Sequence, residues 1–168
     1  MSEPQAPVEE ARPATDADLG WLAELARHAI PELASTKGGR VWARREARLE
    51  SVDSSLAAAM SDDDQLVLAG TLDGVIVGYA AVRIERLRDG GRLGVVDDIY
   101  VEPDGRGVGL GEVLMDAIVT WCEERGCIGV DALALPGNRA TKNFFEAFGL
   151  VARAIVVHRP LGNGGGDV

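Results

Sequence analysis

The sequence contains no stretch approaching the roughly 18 consecutive apolar residues that a helix needs to cross a bilayer. Its opening segment, MSEPQAPVEEARP, lacks the basic n-region and the apolar h-region of a secretory signal, so the expected compartment is the cytoplasm. Cysteine is scarce, with only Cys122 and Cys127. Two thiols without a second ligand pair give no zinc signature, and both are expected to be ordinary reduced residues with no metal. Basic residues are in deficit, 17 Lys and Arg against 27 Asp and Glu, for a formal net charge of −10. That balance argues against nonspecific binding to nucleic acid or to anionic lipid, whose phosphates carry the same sign. Neither partner is expected, whereas a cationic substrate is compatible with it.

What is present suits one soluble domain. The 168 residues are 46% apolar and 26% charged, enough for a substantial core. Residues 1–7 are polar and proline-bearing, and residues 161–168 run into GNGGGDV. Both ends are expected to be flexible, with a single domain over 8–160 and no repeat or linker inside it. VEEARPAT can be a short first strand. Thr15 or Asp16 can cap a helix carrying Leu19, Leu22, Leu25, Ala26 and Ala29. A second helix fits 40–60, with Leu49, Val52, Leu56 and Ala59 on one face and Arg40, Arg44, Arg45 and Arg48 on a solvated one. QLVLAGTL and VIVGYAAVRIERL flank Asp73-Gly74, a strong hairpin signal. LGVVDDIYV is a further strand. Leu110, Val113, Leu114, Ala117, Ile118, Trp121 and Cys122 then mark one stripe of a helix that Gly126 ends. CIGVDALAL reads as a strand, NRATKNFFEAF as a short helix ended by Gly149, and LVARAIVVHRP as a last strand. The order β-α-α-β-β-β-α-β-α-β has hairpins early and crossovers late. It predicts an α+β fold, a mixed sheet with helices on both faces.

Between the strand LGVVDDIYV and the following helix lies GRGVGLGEVL, residues 105–114, with glycine at 105, 107, 109 and 111. Glycine inside a regular element costs about 0.5–1 kcal/mol relative to alanine, so four in seven residues call for a reason. At a strand-to-helix turn the first helical N–H groups have no carbonyl partner, and the helix dipole adds positive charge. Together they form an anion site that backbone without Cβ atoms can approach closely. Arg106 adds a fork of donors suited to phosphate. A Walker loop would need Gly-Lys-Ser/Thr, which does not occur. A dinucleotide fingerprint starting at Gly105 or Gly107 would need glycine where Leu110 or Glu112 stands.

The pattern that remains is [Q/R]-x-x-G-x-[G/A], met by Arg106, Gly109 and Gly111. With IYVEPDGRGVGLG around it, and Asn138, Phe144 and Gly149 of NRATKNFFEAFGL downstream, the chain resembles the GCN5-related N-acetyltransferase superfamily. The match is sharp over about 95–150 and covers 8–160 in element order. The resemblance implies an acyl-CoA N-acyltransferase fold, a twisted mixed sheet whose fourth and fifth strands splay apart, with acetyl-CoA as co-substrate. It implies that backbone groups of Ile99, Tyr100 and Val101 pair with pantetheine, and that amides of Gly107, Val108, Gly109, Leu110 and Gly111, with Arg106, hold the pyrophosphate. Asn138 would reach pantetheine or phosphate, and Lys142 or Arg139 the 3′-phosphate. Phe145 occupies the position of the family's tyrosine acid, beside the cofactor sulfur, and a phenyl ring cannot donate a proton. Tyr100, Tyr79 or water would have to serve instead.

Acetyl transfer to an amine needs the amine neutral, so a base is required. Asp97 and Asp98 stand on the strand feeding the loop. Adjacent strand residues point to opposite faces, so only one can enter the cleft unless a bulge re-aims both. The superfamily's polyamine acetyltransferases are similar here, which implies a base and an amine anchor in either order. The bland alternative is that one of them caps or salt-bridges the neighbouring strand. Glu102 and Asp62-Asp63-Asp64 are weaker candidates, and His28 and His158 read as structural. The expected activity is direct acetyl transfer to a primary amine of a small molecule or peptide. The alternative class is an acyl-CoA-binding module that has lost catalysis, and a more distant one is a protein for another phosphate ligand. The acceptor is open, and homodimerisation is a partnership the resemblance allows.

Overall fold

The computed structural model of the chain describes residues 5–161. Residues 1–4 and 162–168, parts of the expected flexible ends, lie outside the described residues. The strands are β1 (Glu9–Pro13), β2 (Gln65–Leu72), β3 (Val75–Arg86), β4 (Arg92–Val101) and β5 (Val130–Ala132). The helices are α1 (Leu19–Ala34), α2 (Gly39–Arg45), α3 (Val52–Met60), α4 (Leu110–Glu124) and α5 (Arg139–Ala147). The sheet order is β1-β2-β3-β4-β5, antiparallel through β4, with β5 parallel to β4.

Local chemistry accounts for most boundaries. Asp73 (φ 49°) and Gly74 (φ 80°) both take positive φ, the conformation a two-residue hairpin demands. Thr15 and Asp18 form a capping box ahead of α1, and Arg12 donates to both Asp18 oxygens at 2.7 and 2.9 Å. Gly126 (φ 69°) and Gly149 (φ 80°) end α4 and α5 in the left-handed region. One core layer joins Leu22, Ala26 and Leu56 of α1 and α3 to Tyr79, Ala81 and Tyr100 of the sheet. The other joins Leu110, Leu114 and Ile118 of α4 to Leu68, Ala80, Val82 and Val96, and takes Phe145 from α5. Helices thus cover both faces of a mixed sheet, as expected.

Packing of α4 onto β4 is close. A Cβ on Gly94 would overlap the Cys122 sulfur. Gly94→Ala is therefore expected to destabilise by about 1–3 kcal/mol through overpacking. Thermal melts check this, and an unchanged Tm would show that the helix can retreat from the sheet.

Three elements depart from expectation. The 40–60 segment is two helices, because Ser51 caps α3 and the chain turns between Arg45 and Val52. Leu49, expected on the apolar face, is 75% exposed, and Arg48, expected on the solvated one, points inward. The fifth strand is only three residues long. Residues 151–161 contain no strand: the run is rich in valine and isoleucine, but a strand needs a partner, and none pairs with them among the described residues.

Candidate active site

The site begins where β4 and β5 part. They pair only over Gly94–Val96, matched to Val130–Ala132, so among the described residues Asp97–Val101 of β4 has no paired strand on that side. Pairing with β3 shifts between Ala81 and Val82: Ala81 faces Asp98 while Val82 faces Val96, leaving Asp97 as the extra residue of a bulge. The bulge has two effects. Before it, the Gly94 N–H goes outward to Gly129 O at 3.0 Å. After it, the Glu102 N–H goes inward to Val77 O at 2.8 Å. By antiparallel alternation the Tyr100 backbone also faces β3, and Ile99 and Val101 face the open edge. Of the three backbone contacts expected for pantetheine, that of Tyr100 is thus already spent on the sheet.

The second effect is on side chains. Gly94 and Val96 face α4, and without the bulge Asp98 would follow them. Instead it lies on the α1–α3 face with Tyr79 and Tyr100, and Asp97 joins it there through Arg83, whose Nε donates to Oδ1 at 3.1 Å. Both carboxylates therefore share one face. Asp98 is nearly enclosed: its side chain is 13% exposed and that of its partner Arg48 only 8%. Arg48 Nε donates to Asp98 Oδ2 at 2.7 Å, a second guanidinium nitrogen donates to the same oxygen, and Arg48 Nη1 reaches Ser55 at 3.0 Å. The Tyr79 hydroxyl lies beside the same pair. Burial pushes the Asp98 carboxyl up against the pull of Arg48. Burial also raises Asp97, opposed by Arg83 and reinforced by Asp98. Asp97 is the more open of the two, with its side chain 32% exposed.

Along the end of β4 runs a wall built by α1. Glu32 accepts from the Tyr100 hydroxyl at 3.1 Å and from Arg106 Nη2 at 2.8 and 3.1 Å. His28 Nδ1 meets Glu102 Oε1 at 2.8 Å. Burial and then the Glu32 charge push the Tyr100 hydroxyl up to about 12. Tyr79, fully buried, is raised well above the ordinary tyrosine range by burial. Both tyrosines are thus weakened as proton donors to a leaving thiolate.

The glycine loop leads into α4. Gly107 (φ 81°) and Gly109 (φ 95°) lie in the left-handed region, and no side chain caps the helix at Gly109. A Cβ on Gly111 would meet Phe144 at 3.2 Å, so α5 closes against this turn. Arg106 is engaged within the protein: Nε donates to Val101 O at 2.8 Å and the guanidinium sits 5.4 Å from the centre of the Tyr100 ring. Its donors fasten the loop to β4 and α1, so the expectation of an anion site here rests on the backbone amides of 107–111, Val108 and Leu110 included. Asn138 caps α5 by accepting from the Thr141 N–H at 3.2 Å. Lys142 pairs along the helix with Glu146 at 2.6 Å and is half exposed. Phe145 is 6% exposed and packed beside Phe144, ring centres 5.6 Å apart.

Arg48 and Glu32 are the two site residues that reading the sequence missed. Arg48 lies 50 residues from Asp98, and Glu32 lies 74 from Arg106. No local pattern marks either one. Among the described residues no group of His, Cys, Asp and Glu could hold a metal ion, and no helix is long and apolar enough to cross a membrane.

Residues 24–150 match the model of the Acetyltransferase (GNAT) family. An aminoglycoside N(6′)-acetyltransferase type 1 of Stenotrophomonas maltophilia is 32% identical over 91 residues, which are 52% of this chain and 58% of that protein, under two thirds of its length. An L-amino acid N-acyltransferase of Escherichia coli (strain K12) is 29% identical over 145 residues, 84% of this chain and 78% of that one. A probable glucosamine 6-phosphate N-acetyltransferase of Oryza sativa subsp. japonica is 28% identical over 148 residues, 84% of this chain and 80% of that one. Among solved structures, an aminoglycoside N-acetyltransferase in complex with CoA superposes with a TM-score of 0.74 at 17% identity, over 95% of this chain and 99% of that one. At that identity the likeness is one of fold.

Proposed function

From the premise that the chain belongs to the GNAT acetyltransferase family, we propose that it transfers an acetyl group directly to a primary amine of a small, cationic acceptor. Acetyl-CoA is the co-substrate of the family, and bound here it would supply the activated acetyl thioester. The residues fit it. The observation that carries the reading is the junction of two features: an uncapped, glycine-turned helix N-terminus and an unpaired strand edge running from it. The first suits a pyrophosphate, the second an amide-bearing arm. Ile99 and Val101 offer the open-edge backbone groups, and the N–H of Val101 is the donor that would polarise the thioester carbonyl. Holding thioester and amine together makes attack effectively unimolecular.

The acceptor arrives as an ammonium with a pKa near 10.4. Asp97 takes its proton, directly or through water, because Asp97 is the carboxylate of the bulge that keeps solvent access. Asp98, clamped by Arg48, holds the wall behind it. The partly exposed Asp97 favours a cationic substrate, in keeping with the −10 net charge. An acetylation screen across aminoglycosides, amino acids, amino sugars and polyamines, read by thiol release, tests the reading. Absence of turnover with every class, in a protein that binds CoA, leaves the acyl-CoA-binding module.

Two predictions arise here. Asp97 must be ionised to act, and burial holds its pKa above the usual carboxylate value. The acid limb of kcat/KM against pH is therefore expected above the ordinary pKa of about 3.9, with activity rising as pH passes through it. Asp97→Asn removes that limb. A profile with the same limb in wild type and variant shifts the base elsewhere.

The other concerns Phe145, where the buried ring favours the module reading. A thiolate is a far weaker base than an alkoxide, the cysteine thiol having a pKa near 8.5, so a thiolate can leave without a dedicated acid. Phe145→Tyr is expected to leave kcat unchanged or higher. The buried hydroxyl costs about 1–3 kcal/mol unless it finds a partner, so Tm should fall. A well-folded variant with kcat reduced tenfold shows instead that the pocket requires an apolar ring.

A further inference from the structure

We propose that Cys122 and Cys127 form a redox site, whose two thiols close into a reversible intramolecular disulfide by exchange with a small, uncharged disulfide. The geometry is that of a closed helix end. Gly126 takes φ 69° after the last turn of α4. Its N–H donates to Glu123 O at 3.0 Å, and the Cys127 N–H donates to Cys122 O at 3.0 Å. This pair of hydrogen bonds folds the second residue beyond the helix back over the residue that accepts from it, and the two side chains meet. Apolar residues commonly fill those two positions, but here each holds a thiol. They are the only cysteines of the chain, and both are free. A disulfide needs Cα atoms about 4.4–6.8 Å apart, a span suited to two residues whose backbones share a hydrogen bond across a tight turn.

The two sulfurs are unequal. Cys122 is buried, its Sγ packed where a Cβ on Gly94 would stand. Burial, and then the Cys127 thiol beside it, push the Cys122 thiol up to about 12. Cys127 is only partly buried and is the sulfur that a reagent meets. As a thiolate it attacks one sulfur of the small disulfide, breaks the S–S bond and releases one small thiolate. Cys122 then attacks the Cys127 sulfur of the mixed disulfide and releases the second. The protons of the two protein thiols end on the two released thiols, so the protein is oxidised by two electrons and the reagent reduced by two. Glu123 and Glu124 stand exposed beside the pair and disfavour an anionic reagent. The site lies where β4 and β5 are still joined. Ile128 N–H donates to Arg92 O at 2.8 Å, and Arg92 Nη1 to Arg125 O at 3.1 Å. A bond between Cys122 and Cys127 thus ties the end of α4 to the entry of β5, at the closed end of the splay. The assignment is independent of the acetyl-transfer reading.

The probe is hydroxyethyl disulfide, added in excess to the folded full chain. The expected product is a single chain lighter by two hydrogens, with peptides carrying Cys122 and Cys127 linked in a digest made without reductant. Closing the six-residue loop 122–127 should raise Tm by roughly 4–8 °C, and a reducing thiol should reverse the shift. Cys122→Ala, shown to be folded by its melting curve, should stop at a mixed disulfide on Cys127. Three results in the wild-type protein overturn the proposal. The first is that both thiols still titrate after the reagent. The second is a mixed disulfide that persists on Cys127, which means that Cys122 cannot reach it. The third is a disulfide between chains in place of the bond within one.

Discussion

Replacing Gly109 with glutamate is expected to weaken CoA binding by roughly 100-fold or more, about 2.8 kcal/mol at 1.4 per decade. Two effects add. Gly109 sits at φ 95°, where any residue with a Cβ is strained by roughly 1–2 kcal/mol. The new carboxylate also falls at the N-terminus of α4, where the amides of 107–111 are the groups left for a pyrophosphate. Glu9 already stands close, its Oε1 3.5 Å from where the Cβ would lie, so a second negative charge would repel both it and the ligand. Gly109→Ala separates the terms, since it keeps the strain and omits the charge. Calorimetric titration with CoA is the measurement, with melting curves to show that each variant is folded. A folded Gly109→Glu protein with wild-type affinity would remove the pyrophosphate from this turn.

The acidic pair is expected to split into two kinds of loss. Asp97→Asn should lower kcat/KM by roughly 10²–10⁴, the span of acid–base catalysis, with little change in Tm or CoA affinity. Asp98→Asn should unfold the protein first. It strands Arg48, whose side chain is 8% exposed, as a buried charge without its partner, a loss of about 3–5 kcal/mol. For a domain of this length each kcal/mol moves Tm by roughly 2–4 °C. The double variant Arg48→Met, Asp98→Leu removes both charges and should recover most of the stability. Melting curves and steady-state kinetics on one good amine distinguish the roles. Should Asp97→Asn keep full activity while a folded Asp98→Asn loses it, the base is Asp98 and the ion pair must open during the reaction.

Much of this was legible from residue order, because the signals are local. Asp73-Gly74, Gly126 and Gly149 act through their own φ angles, and each ended or turned an element where expected. The α4 stripe of Leu110, Leu114, Ile118, Trp121 and Cys122 is buried as its spacing predicts. The glycine loop was recognisable because a left-handed turn into a helix N-terminus needs only consecutive backbone. The same locality misled at 40–60, where helical spacing continues through a segment that tertiary contact breaks. Arg48 belongs to an arginine-rich face by sequence and to Asp98 by structure.

The amino-acid sequence by itself determined most of the order of elements, the core-facing stripes, the acidic charge and the glycine turn ahead of α4. Each depends on residues within a few positions of one another. Tertiary structure alone decided three things. It set Asp97 in a bulge, so that both carboxylates face one side. It spent Asp98 on Arg48 and Arg106 on Glu32. It left residues 151–161 outside the sheet, with no strand paired to them among the described residues. Strand register and ion pairing are settled by which distant segments meet, and a bulge of one residue reverses the face of everything after it. A run rich in valine and isoleucine, in turn, becomes a strand only where it meets an edge to pair with.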